Sequence, residues 1–111
     1  MEKIAQYRRY VQDVLQKRAS YPVSQEGVET QLSCDTERDH YHIFNVGWEK
    51  NRRNYGCLIH VDIKNGKIWI QHDGTEDGIT DEFLKLGVPP EDIVLAFHSP
   101  FRRQFTGFAV N

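Results

Sequence analysis

The chain has 111 residues, a net charge of −2, 39% hydrophobic residues, 13 aromatic residues and two cysteines. Folding at this length buries roughly two-thirds of the surface, which supports one core, so residues 1–111 read as a single domain. The aromatic content argues against disorder, the apolar run Ile93 to Phe97 is too short to span a bilayer, and an acidic balance argues against nucleic-acid binding by bulk electrostatics.

Residues 3–18 read as a helix, with Ile4, Tyr7, Val11, Val14 and Leu15 at 3–4 spacing along one apolar stripe. Tyr21-Pro22 ends it, because the residue before proline is pushed out of the α region. Four strand signals follow. Val28, Thr30, Leu32 and Cys34 alternate with polar residues, and Tyr41 to Trp48 is rich in aromatic and β-branched side chains. Tyr55, Cys57, Ile59, Val61 and Ile63 alternate with Gly56, Leu58, His60 and Asp62, and Ile68, Ile70 and His72 alternate with Trp69, Gln71 and Asp73. Short polar connections favour an antiparallel meander.

Lys64-Asn65-Gly66-Lys67 is the sharpest local signal, since Asn-Gly readily takes positive φ at both positions of a type I′ hairpin. A two-residue loop sets Ile63 opposite Ile68, Asp62 opposite Trp69, Val61 opposite Ile70 and His60 opposite Gln71. Opposed residues share a face. One face then carries Ile59, Val61, Ile63, Ile68 and Ile70 and must be core. The other carries His60, Asp62, Trp69 and Gln71 and is the candidate interaction surface. Trp69 motivates it: an indole in water leaves a large apolar area unused. Either a partner covers Trp69 or a helix of the same chain does. As an interaction residue, its truncation is expected to leave the fold intact and weaken a complex by about 2 kcal/mol.

A short helix follows Asp73-Gly74, with Asp77 as N-cap, Ile79, Phe83 and Leu86 on one side, and Gly87 then Pro89 as the stop. Ile93 to Phe97 is a buried strand or a buried helical turn. Ser99-Pro100 opens a last helical turn that Gly107 closes. The expected class is α+β: an N-terminal helix packed on a four-stranded antiparallel meander, with short C-terminal helices.

Charge is unevenly placed. Residues 1–20 carry five basic side chains (Lys3, Arg8, Arg9, Lys17, Arg18) against Glu2 and Asp13, whereas residues 73–92 carry seven acidic side chains against Lys85. These are partner-binding surfaces or two solvated faces. Residues 1–20 lack the basic-then-apolar pattern of a secretory signal, so a cytoplasmic location is expected. Cys34 and Cys57, each in a strand-like run, are expected as buried, reduced thiols.

Several constellations carry residues of chemical interest. Asp73, Thr75, Asp77, Gly78 and Asp81 match the start of a calcium loop, but position 12 is Leu84 instead of a bidentate Glu, so a capped turn is expected. His40 and His42 share one strand face, while the hairpin register puts His60 and His72 on opposite faces. No HxxxH or HExxH motif is present, and no metal site is expected. Asp62, Asp73, Glu76 and Lys67 could suggest phosphodiester cleavage, but Asp62 and Asp73 lie at opposite ends of the hairpin, too far apart to share a metal. Lys50, Arg52 and Arg53 form a basic loop, the candidate phosphate contact.

The segments Val46-Gly47-Trp48, His60-Val61-Asp62-Ile63, Gly66-Lys67-Ile68-Trp69-Ile70-Gln71 and Asp73 to Ile79 occur in series. They are followed by Gly87-Val88-Pro89, Glu91 to Leu95, Phe97-His98, Arg103, Thr106, Phe108 and Ala109. This series closely resembles the XisI family, the fdxN element excision controlling factors of nitrogen-fixing photosynthetic bacteria. Pro90, Ala96 and Phe101 depart from the family's common residues. The resemblance implies a role in controlling programmed, site-specific DNA excision beside a separate recombinase and a companion factor of the XisH family. It implies no catalytic residue and no cofactor. The leading expectation is a non-enzymatic, partner-binding regulator, binding the companion factor or a second copy as a homodimer. A direct DNA-binding factor is the alternative, favoured if Arg8, Arg9, Arg52 and Arg53 form one stripe. A metal-dependent nuclease subunit comes third, favoured by converging carboxylates. An exposed aromatic patch favours the first.

Overall fold

The computed structural model describes residues 2–23 and 26–111. Helix α1 (Glu2–Ala19) is followed by strands β1 (Val28–Asp35), β2 (His40–Glu49), β3 (Arg52–Lys64) and β4 (Lys67–Asp73). Helix α2 (Thr80–Lys85), a 3-10 turn (Pro90–Asp92), strand β5 (Ile93–Leu95) and helix α3 (Pro100–Arg103) complete the chain. The sheet runs β1-β2-β3-β4-β5, antiparallel through β4, with β5 parallel to β4. The α+β class is as expected, but the sheet has a fifth strand. Ile93 to Leu95 is fully apolar because both its faces are covered.

Helix α1 lays Tyr7, Val11, Val14 and Leu15 on one face of the sheet, where they meet Tyr41, Ile43, Ile59, Val61, Ile68 and Ile70. Ile79 and Phe83 close the end of this core. The hairpin after β3 forms as predicted, with Asn65 at φ 55° and Gly66 at φ 76°. Gly87, at φ 97°, ends α2: its N–H donates to Leu84 O and the N–H of Val88 to Phe83 O. Ser99 caps α3 by accepting from the N–H of Arg102, with Pro100 in the first turn.

Two one-residue bulges alter the expected register. Ile63↔Ile68, Asp62↔Trp69 and Val61↔Ile70 pair as predicted, but His60 pairs with His72, leaving Gln71 as the extra residue. His60 and His72 are therefore cross-strand neighbours, not residues of opposite faces. Between β2 and β3, Ile43 pairs with Ile59 and Phe44 with Cys57, so Leu58 is unpaired. Leu58 packs against the core beside Ile59, and the alternation beyond it reverses. Tyr55, expected to share the face of Ile59, is instead 65% exposed.

Other expectations are corrected locally. Helix α2 begins at Thr80 without a side-chain cap, and Asp77 instead pairs with Arg18. Leu86 is exposed because the helix has already ended. Cys34 and Cys57 are free thiols, but Cys34 is exposed because β1 is an edge strand, and Cys57 is half-buried.

Candidate functional site

With α1 on one face of the sheet, the other face is open over β2 and β3. The strand register assembles a polar cluster there. His40 pairs directly with Asp62 across β2 and β3, His60 lies two residues before Asp62 on the same face, and Gln71 reaches in from β4. His40 Nδ1 lies 2.8 Å and His60 Nε2 2.9 Å from the same oxygen, Asp62 Oδ1. Gln71 Nε2 donates to the second oxygen, Oδ2, at 3.1 Å. An ionised carboxylate only accepts, so the bonds place protons on His40 Nδ1 and His60 Nε2. Burial pushes the Asp62 carboxyl up, but the hydrogen bonds from His40 and His60 outweigh it and hold it below the usual carboxylate range.

An aromatic row continues from this cluster along β2 and β3. The rings of His60 and His42 lie 4.3 Å apart, His42 and Phe44 stack at 5.5 Å, and Phe44 and Tyr55 stack at 6.3 Å. The Arg53 guanidinium closes the row, 5.6 Å from the Tyr55 ring and 5.3 Å from that of Trp48. Burial, then the neighbouring His60, pushes the His42 imidazole below its ordinary value, so it stays neutral near pH 7. The Leu58 bulge makes the row, because it turns Tyr55 onto the face of His42 and Phe44.

Trp69 does not join this surface. It is 8% exposed, paired with Val94 of β5, and both lie outside the main core cluster. Its indole N–H donates to Lys64 O at 3.1 Å. Lys64 Nζ stands 4.6 Å and the Arg103 guanidinium 5.7 Å from the ring centroid. Arg103 is held by the carbonyls of Ala96 and His98, so the C-terminal segment of the same chain covers the indole. Of the four predicted surface residues, His60, Asp62 and Gln71 come together and Trp69 is withdrawn.

Lys50, Arg52 and Arg53 sit at the β2–β3 turn and are exposed. Arg8 is at the other end of β2, forked onto Asp39 at 2.8 and 3.1 Å. Ten strand residues, roughly 33 Å, separate the two ends, so Arg8 does not share a stripe with Arg52 and Arg53. Asp73, considered as a calcium ligand, caps its own loop: it accepts from the N–H and hydroxyl of Thr75 and from the N–H of Ile79. His40 is the cluster member left out of the predicted surface. Its only signal was the i, i+2 spacing with His42, and the pairing to Asp62 depends on the Leu58 bulge.

A family model described as XisI protein matches residues 1–110. The crystal structure of a XisI-like protein from Anabaena variabilis ATCC 29413 is similar with a TM-score of 0.92 and 45% identity, covering 97% of this chain and 99% of that one. The fdxN element excision controlling factor XisI from the same organism is similar with a TM-score of 0.85 and 35% identity, covering 98% of this chain and 99% of that one. No curated protein matches the chain.

Proposed function

The chain belongs to the XisI family, and we propose that it acts as an accessory controlling factor in the programmed excision of a DNA element, by binding a protein partner rather than by catalysis. The observation that carries this reading is the 35% identity, over nearly the whole length of both chains, to a protein named as an excision controlling factor. The partner is a companion factor of the XisH family, and the setting is the cytoplasm. Among the described residues, no helix is long and apolar enough to cross a membrane.

The contact surface is the open sheet face. Its row of His42, Phe44 and Tyr55, ending in Arg53, has the composition of a binding hot spot: flat aromatic area beside an arginine. His60, Asp62 and Gln71 form its polar margin. Lys50, Arg52 and Arg53 border the row at the other end, where a partner-assembled complex can meet phosphate.

Co-purification with the companion factor, followed by nuclease and DNA-binding assays of each protein alone and together, tests the reading. The complex is expected to form with this chain and to be weakened at least tenfold by Phe44→Ala with Tyr55→Ala. Sequence-specific DNA binding by the isolated chain, unaffected by that double substitution, would replace it with the DNA-binding alternative. DNA cleavage by the isolated chain would replace it with the nuclease reading.

A further inference from the structure

We propose that His40, His60 and Asp62 form a binding site for a first-row divalent transition-metal ion, zinc being the ion whose chemistry they fit best. The inference is independent of the excision role. One donor atom from each of the three residues lies within 4.8 Å of the others, and both imidazole nitrogens converge on Asp62 Oδ1. Ligands of a tetrahedral zinc ion, bound at about 2.0–2.1 Å, stand about 3.3 Å from one another. The histidine–aspartate separations of 2.8 and 2.9 Å need to open by about half an ångström, and the two imidazole nitrogens, within 4.8 Å of each other, to stand at about that same 3.3 Å.

The donor set selects the ion class. Two imidazoles and one carboxylate suit zinc and its first-row neighbours, whereas magnesium and calcium take oxygen ligands. Three protein ligands leave further coordination positions, and the half-exposed His40 side chain leaves room for them to be filled by water.

The surroundings hold the ligands as a metal site requires. Gln71 donates to Asp62 Oδ2, which fixes the carboxylate with Oδ1 towards the histidines. A hydrogen bond to a ligating carboxylate from outside the coordination sphere is what orients such groups. The His42 ring lies against His60 and restricts its rotation. All three ligands stand on paired strands, so the register and not a loop sets their spacing. Without an ion, the same atoms form two N–H···O bonds to one oxygen.

The test titrates the full chain, in a Cys34→Ser, Cys57→Ser background so that thiols take no metal, with Zn²⁺ and Co²⁺ by calorimetry. Cobalt absorption reports coordination. One ion per chain is expected. His40→Ala, His60→Ala and Asp62→Ala should each lower affinity at least tenfold, and Gln71→Ala, which keeps every ligand, about 10–100-fold. His98→Ala should change nothing. His40 is exposed at a strand end, so its variant reads binding without threatening the fold. In the unsubstituted background, zinc should shift the imidazole resonances of His40 and His60 and leave that of His98. Absence of saturable binding up to about 100 μM metal, or binding equally strong in His40→Ala and His60→Ala, would overturn the proposal and leave a hydrogen-bonded triad.

Discussion

Truncating Trp69 to alanine separates a surface residue from a core residue. Read from sequence, Trp69→Ala leaves the fold intact and costs a complex about 2 kcal/mol. The structure demands the reverse. About nine-tenths of the residue is buried, so roughly 200 Å² of mostly apolar surface leaves water on folding. At about 25 cal/mol per Å², that is about 5 kcal/mol, an upper bound because a real unfolded chain is already partly compact. Measured losses for buried Trp→Ala changes run about 3–5 kcal/mol. The indole N–H bond to Lys64 O is worth about 1 kcal/mol within that total. For a domain of this length, 3 kcal/mol lowers Tm by at least about 12 °C. Thermal and urea unfolding followed by circular dichroism are the assay. Trp69→Phe should recover most of the loss, because it keeps a ring between β5 and Arg103. A Tm within about 3 °C of the parent for Trp69→Ala would refute the placement of the C-terminal segment over the indole.

Gly47→Ala should destabilise by about 1–3 kcal/mol, since its Cβ would lie 2.0 Å from the carbonyl oxygen of Gly27. Gly56→Ala, whose Cβ meets nothing within 4 Å, should stay within about 0.5 kcal/mol, both read from urea midpoints. Hydrogen bonding from Arg8, joined by Tyr41 and only partly opposed by burial, holds the Asp39 carboxyl below its usual range. Its contribution is therefore complete above the ordinary Asp value of about 4 and is lost as pH falls through the depressed folded value. Asp39→Asn should cost about 1–2 kcal/mol at neutral pH, and the gap should close under acid; a gap constant from about pH 6 to pH 2.5 would contradict the Arg8–Asp39 pairing. Thiol titration should find two reduced cysteines per unfolded chain, with the exposed Cys34 reacting before Cys57 in the native protein.

The elements legible in the sequence were those governed by local chemistry. Helix α1, the Asn65-Gly66 hairpin, the stop at Gly87 and the Ser99 cap each depend on a few neighbouring residues, and each is found in place. The sheet's core face near the hairpin followed from the turn. The register failed beyond each bulge. A two-residue turn at Lys50-Asn51, continued without interruption, would set His40 opposite Val61; the unpaired Leu58 slips the register by one and sets it opposite Asp62. Leu58 carries no local mark of a bulge, because what favours it is the gain from burying a second apolar side chain beside Ile59. The Gln71 bulge similarly brings His72 opposite His60. The covering of Trp69 was equally invisible, since it depends on where residues 96–110 come to lie after β5.

The strictly sequential order of the sheet has a consequence for how the chain reaches this state. Each strand after the first is hydrogen-bonded to the strand before it in the chain, and through β4 each pairing closes a short loop at small entropic cost. β1 to β4 can zip up in the order in which a ribosome delivers them. Helix α1 cannot complete its packing on that schedule. The Tyr7 hydroxyl donates to Asp92, and Lys3 pairs with the same carboxylate. That partner is synthesised 85 residues after Tyr7. The first helix to emerge is thus fastened in stages, by Arg8 to Asp39, by Arg18 to Glu82 once Ile79 and Phe83 have joined its apolar stripe, and last by Tyr7 and Lys3 to Asp92.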